Sequence, residues 1–377
     1  MRFRQPFTLY RRKLQDGTRV YYFRTYDADG RRTGGRSTGQ THKALALKYV
    51  LELARTGRLD SPHEQTFGTY AENWWVWGVC SYLESQETRG KTLSRRYAEV
   101  QRGFLVNHVL PEFEKLKLSG IKPYHIEKWL KGLKDSGLSS ASVQHCYGVL
   151  RLMMGEAKRL GHLAVNPVEA VKPIHLTQRV RGILSLDEAR LLFDENKFST
   201  YWQTEIGFVC NLLSATTGAR EGECIALRSQ DIFDGYIRIE HSWDHKYGLK
   251  ETKTKLVREV PIPAKTQRWL TRLTANRPAG FVFSTNNGAS PVYYKPIVAE
   301  LYEALNRMKI TETERKLRNI TFHSWRHFYN SMLRGRVPDA KLQRLTGHQT
   351  QQMTERYTHF RLDDFDDVLA IQEELAI

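Results

Sequence analysis

The stretch ATTGAREGE (215–223) sets an arginine, Arg220, in a glycine-flanked turn at the start of a short helical run, EGECIAL (221–227), with the carboxylate of Glu223 three residues on. Further polar positions follow it in chain order. Lys253 lies in an extended segment eight residues before Pro261, where a β-hairpin can hold it over a site. His323 and Arg326 share HSWRH (323–327), His348 ends LTGH (345–348), and Tyr357 comes nine residues later in QQMTERYTHF (351–360). Taken singly these residues say little. The chain has 13 His and 58 Lys+Arg in 377 residues, enough to produce about two His-x-x-basic pairs by chance, and two occur, the other being His125 and Lys128. A lone Arg or Lys in such a chain reads as a backbone contact to DNA, a lone His as a core residue, and Tyr357 is one of 18 tyrosines.

The segment around this stretch opens at Ser185-Leu-Asp-Glu188, a capping-box pattern ahead of an apolar run, and is helical by pattern to the C-terminus. One extended region interrupts it, GYIRIE (235–240) and KETKTKLVREVPIP (250–263), which predicts a small antiparallel sheet.

Outward from that segment, charge is the dominant feature. With 58 Lys+Arg against 41 Asp+Glu the net charge is +17, which points to a polyanionic partner. The longest apolar runs, such as IGFVCNLL (206–213), fall far short of the ~18–20 residues of a bilayer span. The N-terminal MRFRQPFTLYRRK lacks the apolar core of a secretory signal. Cys80, Cys146, Cys210 and Cys224 show no C-x-x-C spacing, which excludes a zinc ribbon and argues against a disulfide scaffold. The expectation is a cytosolic, multidomain, nucleic-acid-binding protein.

Residues 1–60 hold 14 Lys/Arg and 5 Asp/Glu. Apolar and basic residues alternate in FTLYRRKL (7–14), VYYFRTY (20–26) and RRTGGRST (31–38), with Asp16-Gly17 and Asp29-Gly30 between them as hairpin signals. KALALKYVLELARTG (43–57) has helical spacing and Gly57 as a stop. The pattern predicts a three-stranded antiparallel sheet backed by one helix. One face of that sheet is expected to gather Arg11, Arg24, Arg31 and Arg32 with Tyr21 or Tyr22 among them and to meet DNA, as narrow sheets do in the major groove.

Residues 58–66 read as a linker, and 66–165 as a helical module. Its helices are expected over 92–110, ending at Pro111; over 122–137, ending at a glycine; and over 139–161, from a Ser cap to Gly161. Trp74, Trp75 and Trp77 are expected in its core, and 166–182, with two prolines and a basic patch, as a connector.

In this order and setting the polar set resembles the tyrosine recombinases, the phage-integrase family. The resemblance covers 183–360, with the family's usual neighbours around each position: T-G-A-R-x-G-E, T-K-T, H-x-x-R-H, T-G-H and R-Y-T-H. At the level of pattern, 1–60 and 66–165 look like that family's arm-type and core-type DNA-binding modules. The fold implied is multidomain α+β: a three-stranded sheet plus helix (1–60), a helical core-binding domain (66–165) and a mainly α catalytic domain with a small antiparallel sheet (183–377).

Chemistry agrees with the resemblance. Breaking a DNA strand without hydrolysis needs a nucleophile that forms a reversible ester, and a tyrosine phenol does this while retaining the bond energy. In-line attack builds charge on the non-bridging oxygens, which Arg220 and Arg326 can clamp bidentately in place of a metal. No Asp/Glu cluster suits Mg²⁺, so neither a metal nor another cofactor is expected. The resemblance implies Tyr357 as nucleophile, His323 as its proton acceptor, His348 as a hydrogen-bond donor to the scissile phosphate and Lys253 as general acid to the departing 5′-oxygen. Glu223 is expected to accept hydrogen bonds that orient the site.

The resemblance further implies double-stranded DNA with core- and arm-type attachment sites as partner and a homotetramer on two duplexes. It also implies a C-shaped clamp of 66–165 and 183–377 around the core site. A host DNA-bending protein and an excisionase are candidate further partners, and the setting is the bacterial cytoplasm. The expected activity is integration or excision of a mobile element. Two alternatives stand beside it: a type IB topoisomerase-like enzyme, and a non-catalytic DNA-binding regulator of the same fold. His241 and His245, at i,i+4 spacing, lack partners for a metal, and Asp363, Asp364, Asp366 and Asp367 read as a solvated face. Residues 360–377, with Phe365, Val368, Leu369 and Ile371 near helical spacing, read as a tail helix that by the resemblance docks on a neighbouring protomer, with packing in cis as the alternative.

Overall fold

The computed structural model describes residues 6–14, 17–26, 32–55, 59, 65–172, 181–275, 279–347 and 350. By contacts the chain divides into two compact units, Met1–Gln178 and Arg179–Ile377. Mixed helix and small antiparallel sheets match the fold class read from the sequence.

The first unit begins with the expected sheet. Strands β1 (Thr8–Lys13), β2 (Arg19–Arg24) and β3 (Arg36–Ser37) lie in sequence order, all antiparallel. Gly17 takes φ +85 in the first turn, the left-handed conformation that D-G signals. Asp16, Asp29, Gly30 and Arg31 lie outside the described residues. Helix Lys43–Arg55 covers one face, where Phe7, Leu9 and Phe23 pack on Leu47, Val50 and Leu53.

Register corrects the expected arginine face. Arg11 is paired with Tyr21, and Arg24 with Thr8. Cross-strand partners share a face and neighbours along a strand alternate, so Arg11 and Arg24 lie on opposite faces. Arg11 points to the side covered by the helix, with its guanidinium 5.6 Å from the Tyr21 ring centroid. The open face instead interleaves Tyr10 and Arg12 of β1 with Tyr22 and Arg24 of β2. There the Arg24 guanidinium lies 4.7 Å from the Tyr10 ring centroid and that of Arg12 lies 5.5 Å from Tyr22. Arg32 pairs with Tyr26 across an isolated bridge. A side chain at Gly35 would coincide with the Tyr10 hydroxyl, so glycine there keeps the ring in place.

Helices of the bundle run Phe67–Ala71, Ser81–Thr88, Arg95–Phe104, Leu110–Phe113, Pro123–Asp135 and Ser140–Arg159. Ser139 caps the last through Ser142 N–H at 3.1 Å, and Gly161, at φ +82, follows its end. Two expectations fail. The helix does not stop at Pro111, because residues Leu105–Val109 widen into a π-helical turn and Pro111 then enters the first turn of Leu110–Phe113, where its missing N–H costs nothing. Trp74 and Trp75 are buried as expected, but Trp77 is 46% exposed. The packed bundle also reaches into the expected connector. Val168 and Val171 are buried in its core, and the Tyr147 hydroxyl donates to the Val171 carbonyl at 3.2 Å.

The second unit is built around helix Glu205–Thr217, whose residues 207–215 are all buried. That explains its apolar run, since a helix hydrophobic on every side belongs inside a core. Around it pack helices Ala264–Thr274, Tyr294–Arg307 and Ser324–Leu333. Ser185 and Glu188 form the reciprocal capping box at 3.1 and 2.6 Å. The expected small sheet is present as β4 (Ile232–Phe233), β5 (Tyr236–Ile239) and β8 (Arg258–Pro261), in the order β4-β5-β8. Between β5 and β8 a separate hairpin projects, β6 (His241–Asp244) with β7 (Gly248–Glu251).

Candidate active site

Helix Glu205–Thr217 ends at Gly218, whose φ of +65 places it in the left-handed region. A side chain there would also lie 2.6 Å from the Tyr329 ring. The turn delivers Arg220 to the N-cap of helix Glu221–Ile225, as its glycine-flanked setting suggested. Glu223 then reaches back. Its Oε2 accepts from the Arg220 backbone N–H at 2.8 Å and its Oε1 from the Arg220 Nη1 at 2.9 Å. Helix and hairpin are in close register here, for a Cβ on Gly222 would lie 2.6 Å from the Ser242 hydroxyl of β6.

Glu223 carries a second cation. Arg258, at the start of β8, donates Nη2 to the Glu223 Oε2 at 2.5 Å and Nε to the Leu345 carbonyl at 2.9 Å. Burial works to raise the Glu223 carboxyl, but the Arg258 guanidinium and then Arg220 outweigh it and hold the group below its ordinary range. Glu223 and Arg258 are 3% and 4% exposed, so neither charge can be re-solvated if the other is removed. Losing one partner of such a pair typically costs about 3–5 kcal/mol. Glu223 therefore accepts hydrogen bonds from two arginines, Arg220 and Arg258.

Arg326 and His323 occupy the start of helix Ser324–Leu333, three residues apart and so on one face. Arg326 is fully buried, and its guanidinium donates to the Gly218 carbonyl at 2.7 Å and to the Thr346 carbonyl. One side chain thus ties the Arg220 turn to the T-G-H segment. The His323 imidazole is pushed down to about 4, first by burial, then by the positive charges of Arg181, Arg326 and Arg220, with Glu223 opposing. At neutral pH the ring is therefore uncharged and can accept a proton, as a weaker base than an unconstrained histidine.

Lys253 lies exposed in the turn Thr252–Lys255 that follows β7, not within a strand. Gly347 (φ +66) closes helix Asp339–Thr346. A Cβ on Gly347 would lie 3.4 Å from Arg258 Nη1 and 3.6 Å from the Thr254 hydroxyl, so the Lys253 turn adjoins Gly347. Of the expected site residues, Arg220, Glu223, His323 and Arg326 are gathered in one place, and Lys253 lies on a turn beside it. His348 and Tyr357, and the tail beyond, lie outside the described residues.

Two residues escaped the sequence reading. Arg258 had a legible signal: it alternates with Val260 on the buried side of β8 and with Ile262 just past its end, where an unpartnered charge would be untenable. Arg181, within the expected connector, donates to the Thr321 hydroxyl at 2.8 Å and so stands near His323; nothing local in its sequence marked it. His241 and His245 sit on the β6–β7 hairpin, and the His245 ring packs 4.2 Å from that of Tyr293. Among the described residues no three His, Cys, Asp or Glu side chains group as a metal site, and no helix is long and apolar enough to cross a membrane.

Comparison with known proteins places this geometry. Residues 190–362 match the model of the Phage integrase family, and residues 81–134 match that of the phage integrase N-terminal SAM-like domain. The chain is 27% identical over 206 residues to the shufflon-specific DNA recombinase of Escherichia coli, covering 53% of this chain and 46% of that protein. It is 24% identical over 326 residues to a putative integrase of Pseudomonas phage Pf1, covering 86% and 85%. The chain spans about half the length of the shufflon recombinase and of the phage 434 integrase, 46% and 51%. In fold it is similar to the Tn1549 transposon integrase in complex with a circular intermediate DNA (TM-score 0.63, 17% identity, 78% of this chain and 98% of that one). It is likewise similar to a lambda integrase dimer bound to a COC′ core site (TM-score 0.56, 19% identity, 95% and 96%). With an arginine turn, a buried H-x-x-R and the Thr346-Gly347 segment joined as described, and both family models matched in order along the chain, the findings support a tyrosine recombinase of the phage integrase type.

Proposed function

We propose that the protein is a site-specific DNA recombinase that integrates or excises a mobile element through a 3′-phosphotyrosine intermediate. The observation that carries this reading is the convergence of Arg220 and Arg326 on the Gly218 turn beside a neutral His323. Two guanidiniums and an uncharged base are what phosphoryl transfer to a phenol requires when no metal takes part.

In this reading His323 takes the proton from the Tyr357 hydroxyl as its oxygen attacks the scissile phosphorus. The bond from phosphorus to the 5′-oxygen breaks, Lys253 protonates that oxygen, and the strand is left with a 3′-phosphotyrosine and a free 5′-hydroxyl. Arg220 and His348 hold the non-bridging oxygens as charge builds on them, and Arg326, its Nη donors on the Gly218 and Thr346 carbonyls, adds its positive charge from beneath. Attack by a 5′-hydroxyl from the partner duplex reverses the chemistry and exchanges the strand, so the number of phosphodiester bonds is conserved and no nucleotide is consumed.

Core-site DNA is held by the helical module together with the catalytic domain, and arm-type DNA by the open face of the N-terminal sheet, where Arg12 takes the place first given to Arg11 and Arg24 keeps its own. Domains over 1–60, 66–165 and 183–377 serve as the arm-binding, core-binding and catalytic modules. Lambda integrase forms a tetramer on a Holliday junction, and a tetramer on two duplexes is the corresponding state here, with 360–377 docked on the neighbouring protomer. The reaction takes place in the cytoplasm, with a host DNA-bending protein and an excisionase as assisting partners.

The test is recombination between two plasmids carrying the element's own ends, in buffer containing a chelator. Crossover products are expected. Relaxed plasmids without crossover would favour a topoisomerase, and site binding with neither product would favour a regulator.

A further inference from the structure

We propose that Arg258 is a positioning residue for the cleavage step, holding the Arg220 turn and the end of helix Asp339–Thr346 at a fixed separation. This rests on the recombinase reading above and deepens it. Arg258 spans two parts of the site that are far apart in sequence. On one side its Nη2 binds the Glu223 Oε2 at 2.5 Å, and the other oxygen of that carboxylate holds the Arg220 Nη1 at 2.9 Å. On the other side its Nε binds the Leu345 carbonyl at 2.9 Å, three residues before His348.

A planar guanidinium is suited to this because its donors diverge at fixed angles, so one rigid group sets both contacts at once. A lysine ammonium offers donors at a single point and can satisfy Glu223 or Leu345, but not both at these spacings. Arg258 is 4% exposed and lies beneath the site, so it acts through Glu223 and the Leu345 carbonyl rather than by touching DNA. A Cβ on Gly347 would lie 3.4 Å from the same guanidinium, so the backbone after Thr346 runs close to it.

The experiment is single-turnover covalent trapping on a nicked core-site duplex, with protein in saturating excess. DNA binding and thermal unfolding are measured on the same samples for wild type, Arg258→Lys, Glu223→Gln and the double variant. Arg258→Lys should bind the duplex within about twofold of wild type and trap it roughly 10- to 100-fold more slowly, the range a displaced catalytic group produces. If Arg258 acts through Glu223, the double variant should be no slower than the slower single variant. Trapping by Arg258→Lys at the wild-type rate, or two defects that multiply, would overturn the proposal. Should Arg258→Lys fail to fold, the neutral pair Arg258→Met with Glu223→Gln removes the buried charge imbalance. That pair should fold and trap slowly, and wild-type trapping by it would overturn the proposal. Absence of a covalent complex with the wild type itself would instead overturn the recombinase reading, and this proposal with it.

Discussion

Gly218 and Arg326 are joined by a 2.7 Å hydrogen bond from the Arg326 Nη1 to the Gly218 carbonyl, across 108 residues of chain. The bond fixes the turn that presents Arg220 against the helix that presents His323. It depends on a glycine, because Gly218 has φ +65 and no room for a Cβ beside Tyr329. Gly218→Ala should destabilise the protein by about 2–4 kcal/mol, from left-handed backbone and steric terms together. Chemical denaturation checks this, and cleavage should fall further than DNA binding does.

His323 gives a pH signature. Its imidazole sits near 4 in the folded protein against 6.5 for an unconstrained histidine, so the unfolded chain binds this proton more readily. The contribution of His323 to stability is therefore steady above pH 6.5 and declines as pH falls from there toward 4. In the DNA-free protein an NMR titration of the His323 ring should show a midpoint near 4. A midpoint near 6.5 would show that the imidazole is not held neutral by burial and the neighbouring arginines.

Legibility in the sequence followed the range of the interactions. Helix ends at Ser139, Gly161 and Ser185 were readable because caps are local, and Arg220 with Glu223 was readable because both lie within one turn of chain. Pro111 misled because a π-helical turn shifted the hydrogen-bond register just before it. The arginine face of the sheet misled because strand register sets which residues share a side, and composition alone does not give register. Arg258 was missed for another reason: its partners, Glu223 and Leu345, lie 35 and 87 residues away.

Lys253 can be separated from the other cations by its leaving group. Lys253→Ala should slow cleavage of an ordinary phosphodiester by roughly 100- to 10,000-fold, the usual worth of a general acid. With sulfur in place of the 5′-bridging oxygen, the departing thiolate needs no proton and the defect should largely vanish. An equal defect on both substrates would mean that Lys253 binds the phosphate and does not protonate the leaving group.

The sheet offers a test by side. Arg12 and Arg24 lie on the open face with Tyr10 and Tyr22, whereas Arg11 lies on the helix-covered side. Arg12→Ala and Arg24→Ala should each weaken binding of arm-type duplex and reduce the salt dependence of that binding by about one counterion. Arg11→Ala should do less. Gel-shift titrations over a range of salt read both effects, and a larger loss for Arg11→Ala would mean that DNA meets the other face.

The most direct measurement concerns the nucleophile. Tyr329, the buried tyrosine beside Gly218, has its phenol pushed up to about 12, chiefly by burial, which makes it a poor attacking group. Wild type, Tyr357→Phe and Tyr329→Phe should each be incubated with a nicked core-site duplex in chelator and resolved on a denaturing gel. The account predicts a DNA-shifted band for wild type and Tyr329→Phe and none for Tyr357→Phe. A band that persists in Tyr357→Phe would contradict it.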